Sequence, residues 1–274
     1  MPYSSFDIAT ACLQAGELPD ALAALDTHLA QHPADDAARR MRIGILRHLG
    51  DAQQVQAALD DVQHLTDPQP ADRIQQSLLL EQAGRIDEAR HCLADAHMRW
   101  PQDERLTERY LNLLLAHDLA ADALVMIRQQ PQTWRWLQWE GDALVRLGDD
   151  LMATARYGLA LAQLDAQITS DNALYFGPIQ ARLLLARAAA YQRLDMLDQA
   201  DPLYAAAEAL IPNDPTIPFN RGLLAWRRDE QAEALRLCRA ALAASNESLR
   251  TRLLADLAAD SRFEPLLLAL TMKE

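Results

Sequence analysis

Gly16, Gly50 and Gly84 stand 34 residues apart, twice in succession, and the residues around them recur with them. A fixed period of this length means that one small unit is copied and that the copies stack, because a unit so short cannot bury its apolar face alone. This constrains the fold more tightly than length or composition does.

The register can be followed slot by slot. In the first unit Ala9 lies seven residues before Gly16, while Ala21, Leu25 and Pro33 lie five, nine and seventeen after it. The third unit repeats this with Ser77, Gly84, Ala89, Leu93 and Pro101, and the second more loosely with Ile43, Gly50, Val55, Leu59 and then Asp67-Pro68. The Gly slot continues as Asp118, Gly148, Asp195 and Asp229. The slot five later holds Ala123, Ala153, Ala200 and Ala234, and the slot nine later holds Ile127, Tyr157, Tyr204 and Cys238. Two steps break the period. Asp118 to Gly148 is 30 residues, a shortened unit, and Gly148 to Asp195 is 47, an insertion of 13.

Apolar residues recur at three- and four-residue spacing on both sides of the Gly slot, so each unit reads as two helices. The slot itself is where the first helix stops and the chain reverses. A left-handed backbone there suits Gly best and Asp better than most residues. The Ala slots let two helices approach closely, and the Pro slot ends the second helix.

The stretches LQAGELPDALAALDTHLAQHP, LEQAGRIDEARHCLADAHMRWP and YQRLDMLDQADPLYAAAEALIPNDP carry this pattern best. The pattern resembles the tetratricopeptide repeat (TPR), a 34-residue helix–turn–helix. The resemblance covers about residues 2–248 as seven units, near 2–35, 36–69, 70–103, 104–133, 134–167, 181–214 and 215–248, with an insertion at 168–180. The consensus Trp early in the first helix is missing from most units. The expected fold is an all-α, right-handed solenoid of about seven repeats, closed by capping helices over residues 249–274. In that cap, DSRFEPLLLAL is expected to shield the last apolar face through Phe263 and Leu267.

Two other segments stand out. Residues 167–180, QITSDNALYFGPIQ, hold two breaker clusters, Ser170-Asp171-Asn172 and Gly177-Pro178, with Tyr175 and Phe176 between them. They are expected to form a helix extension and a loop, its aromatics packed on the next repeat or forming a lip. Trp134, Trp136 and Trp139 cluster after the shortened unit, as core filling or as an aromatic patch.

Formal net charge is −13. Phosphate-binding surfaces are basic, so nucleic acid is not an expected partner. Cys12, Cys92 and Cys238 are odd in number and lie in helical slots of different repeats, as expected of reduced thiols in a cytoplasmic protein. The start MPYSSFDIATACLQAG has no basic opening and no apolar run of signal-peptide length, and no apolar stretch is long enough to cross a bilayer, so no membrane insertion is expected.

No phosphate loop, GxSxG elbow or HExxH appears. On a helix His91 and His97 would point about 240° apart, so they do not grip a metal together. The paired acids Asp60-Asp61 and Asp149-Asp150 read as solubilising. No catalytic residue, cofactor or metal is expected, and the chain reads as a non-enzyme.

The TPR resemblance implies that particular slots of each first helix line a concave groove. Those slots hold Arg105, Glu108 and Asn112; Arg135, Gln138, Asp142 and Arg146; Arg182, Gln192 and Arg193; and Phe219 and Trp226. Arginine in a row would attract an acidic or carboxylate-bearing segment of another protein or peptide, and Asn112 could clamp a peptide backbone. The chaperone-binding TPR proteins carry a Lys and Asn clamp. Here Arg40 and Gly44 stand in the corresponding slots, and the chain's one lysine is Lys273. The expected function is therefore an adaptor that holds a protein segment in its groove. The alternatives are a ligand-gated regulatory module and a subunit of a secretion or envelope assembly working through its convex face. The sequence leaves the oligomeric state open.

Overall fold

The structure, a computed structural model, describes residues 4–271. Among these residues every regular element is a helix. The chain divides after His117 into two compact units. The first holds α1 (Ser5–Ala15), α2 (Leu18–Gln31), α3 (Asp36–Leu49), α4 (Ala52–Gln63), α5 (Pro70–Gln82), α6 (Ile86–Arg99) and α7 (Glu104–Ala116). The second holds α8 (Ala120–Ile127), α9 (Trp134–Arg146), α10 (Asp150–Asp165), α11 (Ala173–Arg193), α12 (Leu197–Leu210), α13 (Thr216–Arg227) and α14 (Gln231–Ala244). It ends in α15 (Glu247–Ala258), a 3-10 turn (Ser261–Phe263) and α16 (Glu264–Thr271).

Consecutive helices pack as hairpins: α1 with α2, α3 with α4 and α5 with α6 in the first unit, and α9 with α10, α11 with α12 and α13 with α14 in the second. The fourth sequence repeat supplies α7 to the first unit and the short α8 to the second, where α8 packs on α9.

The reversals arise where the repeat places them. Gly16, Gly50, Gly84 and Gly148 have φ between 72° and 79°, and Asp118, Asp195 and Asp229 have φ of 59° to 63°. These three Asp are the only non-Gly residues with positive φ among the described residues. A short polar side chain tolerates this region where a branched or bulky one does not. Helix starts are fixed by acceptor side chains: Asp35 takes the N–H groups of Ala37 and Ala38, Asp103 that of Leu106 and Asn246 that of Leu249.

Packing follows three slots. Seven residues before each reversal, Ala9, Ile43, Ser77, Leu111, Gly141, Ala188 and Gly222 are all buried. So are Ala21, Val55, Ala89, Ala123, Ala153, Ala200 and Ala234 five after it. Nine after it, Leu25, Leu59, Leu93, Ile127, Tyr157, Tyr204 and Cys238 form the larger half of the contact. Burying each large side chain stabilises the fold by about 1.5–3 kcal/mol. At the C-terminal end Phe263 and Leu266 are buried with Leu253 and Leu257 against Cys238, and Leu267 packs on them.

Polar ties join each repeat to the next. In the first unit Arg42 donates to Asp26 at 2.7 Å, Gln82 donates to the Gly50 carbonyl at 3.2 Å and Arg109 donates to Ser77 at 2.9 Å. In the second, Arg228 pairs with Asp198 at 2.9 Å and Arg227 with Asp195.

Two expectations are corrected. Gly177-Pro178 does not break the chain, since α11 runs through both for 21 residues. Pro178 lies near the open end of the helix, where its missing N–H deletes one bond, to the carbonyl of Leu174, a residue 96% exposed. Tyr175 and Phe176 are therefore helical rather than in a loop. Phe176 packs on the core, while Tyr175 is exposed and meets Phe176 edge-on, with ring centroids 5.0 Å apart. Second, Asp61 is not a solubilising surface acid. It is buried between Arg39, at 3.1 Å, and Arg42, at 2.5 Å. Asp149 caps α10 through the N–H of Met152, and Asp150 pairs with Arg193.

Candidate functional site

On α7 the spacing 105, 108, 112 puts three side chains on one helix face. Arg105 and Asn112 are exposed and Glu108 is half-buried. The intervening Arg109 turns into the stack, where its guanidinium and the His117 ring both reach Glu81. Burial pushes the Glu81 carboxyl up, but Arg109 and His117 outweigh it and hold the group below its usual range.

Arg40 is committed internally. Its Nε lies 2.9 Å from Asp72 Oδ1, its Nη2 lies 3.0 Å from Oδ2, and the same Nη2 donates to the Asp67 carbonyl at 2.8 Å. A bidentate pair of this kind leaves little of the fork for an incoming carboxylate.

In the second unit the slots of α9 and α11 converge. Arg182 Nη2 donates to Gln138 Oε1 at 3.1 Å, which brings neighbouring repeats together on one surface. Asp142 accepts from the Tyr157 hydroxyl at 2.6 Å. Burial raises the Asp142 carboxyl above its usual range, against the pull of Tyr157, Gln138, Arg182 and Arg146. Burial likewise raises the Tyr157 hydroxyl, with Asp142 adding to it. Arg193 donates to Asp150 at 2.8 Å. Gln192 accepts from the Tyr204 hydroxyl at 2.8 Å, so its side-chain carbonyl is already used.

The balance on this surface is basic. Arg146 and Arg182 are exposed beside the half-buried Asp142, while the exposed Arg193 is taken up by Asp150. The Arg135 guanidinium carbon lies 5.8 Å from the centroid of the Trp134 ring. Trp136 is core, and Trp134 and Trp139 are half-buried.

Phe219 does not belong to this surface. It is 1% exposed and lies in the cluster formed with Cys238, Leu253, Leu257, Phe263 and Leu266, beneath the cap helices. Trp226 is half-buried against the same cluster. Phe219 therefore packs beneath the cap rather than on an exposed surface.

The sequence reading also missed charge contributed by the cap. Arg262 and Asp256 join Arg193, Arg227, Gln192 and Asn220 around a cleft of about 380 Å3. Each guanidinium there is matched: Arg193 with Asp150, Arg227 with Asp195 and Arg262 with Asp260. The available signal was a charged pair in a segment whose apolar residues alone suffice for capping.

Among the described residues no group of His, Cys, Asp and Glu is arranged to hold a metal ion, and no helix is long and apolar enough to cross a membrane.

No protein-family model matches the chain, and no curated protein matches it. Solved structures do match. A tetratricopeptide repeat protein from Parabacteroides merdae aligns with a TM-score of 0.59 at 14% identity, over 92% of this chain and 96% of that one. The C-terminal part of a TPR repeat-containing protein from Cytophaga hutchinsonii aligns with a TM-score of 0.55 at 12% identity, over 98% of this chain and all 100% of that one. At such identities the likeness is one of fold, and the fold of this chain is that of the TPR solenoids.

Proposed function

We propose that the chain is a non-enzymatic protein-interaction scaffold that holds an acidic segment of a partner against α9 and α11. The observation that carries this is the pair of exposed guanidiniums of Arg146 on α9 and Arg182 on α11, neither in an ion pair with a described residue, in a chain of net charge −13. Arginine forks meet carboxylates in two parallel hydrogen bonds. Solvent-exposed ion pairs contribute only about 0.2–1 kcal/mol each, so several must engage at once, and an extended segment reaching from α9 to α11 satisfies that condition. Raised salt should then weaken binding. The TPR fold supports the reading, since stacked helix pairs expose long surfaces on which extended segments can lie.

The test is selection from a displayed library of random peptides on the intact protein. Enriched peptides should be acidic, and a labelled copy of the best should bind at least tenfold more weakly to Arg146→Glu/Arg182→Glu. Enrichment of peptides without acidic residues, or equal binding to the variant, would overturn the proposal.

A further inference from the structure

The two helices of the third repeat, α5 and α6, border a cleft of about 310 Å3 that charged groups from both of them line. It belongs to the first unit and owes nothing to the arginines of α9 and α11.

The second repeat shows what the same positions do when they are closed. Arg39, Arg42, Asp61 and Leu65 stand 34 residues before Arg73, Gln76, Asp95 and Arg99. In the second repeat Asp61 is buried between Arg39 and Arg42, and Leu65 is buried too. In the third, Gln76 replaces one of the two arginines and the exposed Arg99 replaces the leucine. Arg73 donates through Nη1 to Gln76 Oε1 at 2.7 Å rather than to a carboxylate, and Cys92 donates to the same oxygen at 3.2 Å. Asp95 is exposed and makes no ion pair with a described residue, although Arg99 stands one helical turn away. Arg99 stacks instead on Trp100, its guanidinium carbon 4.6 Å from the ring centroid. Two guanidiniums and a carboxylate thus line one cleft, and none of the three has a counter-ion among the described residues.

This set of charges selects a chemistry. Two guanidiniums at one cleft call for a carboxylate, which accepts parallel hydrogen bonds from an arginine fork. Stacking covers a face of the Arg99 guanidinium and leaves its edge N–H groups open. Asp95 calls for a cation and repels a doubly charged anion such as phosphate. An α-amino acid carries both complements on a single carbon. Cys92, Ala96 and the Trp100 ring complete the lining and suit a small apolar side chain. The volume also fits, since pockets for small molecules start at about 300 Å3. We propose that this cleft binds a free α-amino acid, its carboxylate held by Arg73 and Arg99 and its ammonium by Asp95.

The test is calorimetric titration of the full chain with each of the common amino acids in turn, and with inorganic phosphate. At least one amino acid with a small apolar side chain should bind saturably and raise the melting temperature. Its amide and its N-acetyl derivative, each short of one charge, should bind at least tenfold more weakly. Asp95→Asn should weaken the amino acid tenfold or more and leave the N-acetyl derivative unchanged. Gln76→Arg rebuilds the closed arrangement of the second repeat, so it should melt no lower than the parent and lose the amino acid. Absence of saturable heat with every amino acid at millimolar concentration would overturn the proposal. So would tighter binding of phosphate than of any amino acid, or equal binding to the parent and both variants.

Discussion

The ring of Tyr157 occupies the space that a side chain at Gly141 would fill. A Cβ there would lie 2.8 Å from both Cδ1 and Cζ, and the same tyrosine is anchored through its hydroxyl on Asp142. Helix propensity alone favours Ala over Gly by about 1 kcal/mol. Forcing a methyl against a ring that cannot swing away costs about 1–3 kcal/mol. Gly141→Ala should therefore lower the urea midpoint, whereas Gly44→Ala in α3, where an added Cβ meets nothing within 4 Å, should raise it. A gain in stability from Gly141→Ala would mean that the ring does not sit there.

Asp61 offers a second contrast, with its neighbour Asp60. Removing a buried carboxylate leaves Arg39 without its acid and Arg42 with only the exposed Asp26, and breaking such a pair from one side costs about 3 kcal/mol. Asp60 is exposed and bonds only to Gln56 and its own helix turn. Asp61→Ala should lose about that amount in equilibrium unfolding, and Asp60→Ala should change by roughly 0.5 kcal/mol or less. Equal losses would contradict the burial of Asp61.

Acid should act partly through Glu81. Its folded-state carboxyl lies below the ordinary value of 4.5. A depressed carboxyl contributes stability above its unfolded value and loses it as pH falls through the folded one. Unfolding free energies measured from about pH 6 down to about pH 3 should therefore fall less steeply in Glu81→Gln than in the wild type. Parallel curves would show that Arg109 and His117 do not hold the group.

Thiol chemistry gives a probe of the C-terminal repeats. Burial pushes the Cys238 thiol up to about 12 and the Cys92 thiol up to about 11. The thiolate is the reactive form, so Cys238 should resist alkylation in mildly alkaline buffer until its hairpin opens. Mass spectrometry of partly labelled protein should show Cys12 modified well before Cys238. Simultaneous labelling would rule out the tight seat beside Gly222, where an added Cβ would lie 2.5 Å from the sulfur.

The hairpins and their core were legible because one period fixes three things at once. The reversal needs a residue that accepts positive φ, the slots beside it need small side chains, and the slot nine later needs a large one. Asp118, Asp195 and Asp229 could be assigned to the reversal from spacing alone, and all three are left-handed. What spacing does not carry is the third dimension of neighbours. Asp60 and Asp61 are adjacent in sequence, yet successive helical residues point about 100° apart, so one meets water and the other two arginines. Phe219 occupies the same slot as Glu108 and Gln138, but the cap lies over it, and the repeat period holds no information about the cap. Pro178 read as a breaker because the rule ignores how little a helix loses near its open end.

The ties from Gly50 to Gln82 and Asp195 to Arg227 each span 32 residues, and the ties of Asp150 to Arg193 and Gln138 to Arg182 span 43 and 44. None of these ties reaches past the adjoining repeat. A chain wired this way has little searching to do during synthesis, because each module meets these polar neighbours soon after they emerge. Its history can also be one of duplication, since excising or copying a whole module between two others would leave the remaining links intact.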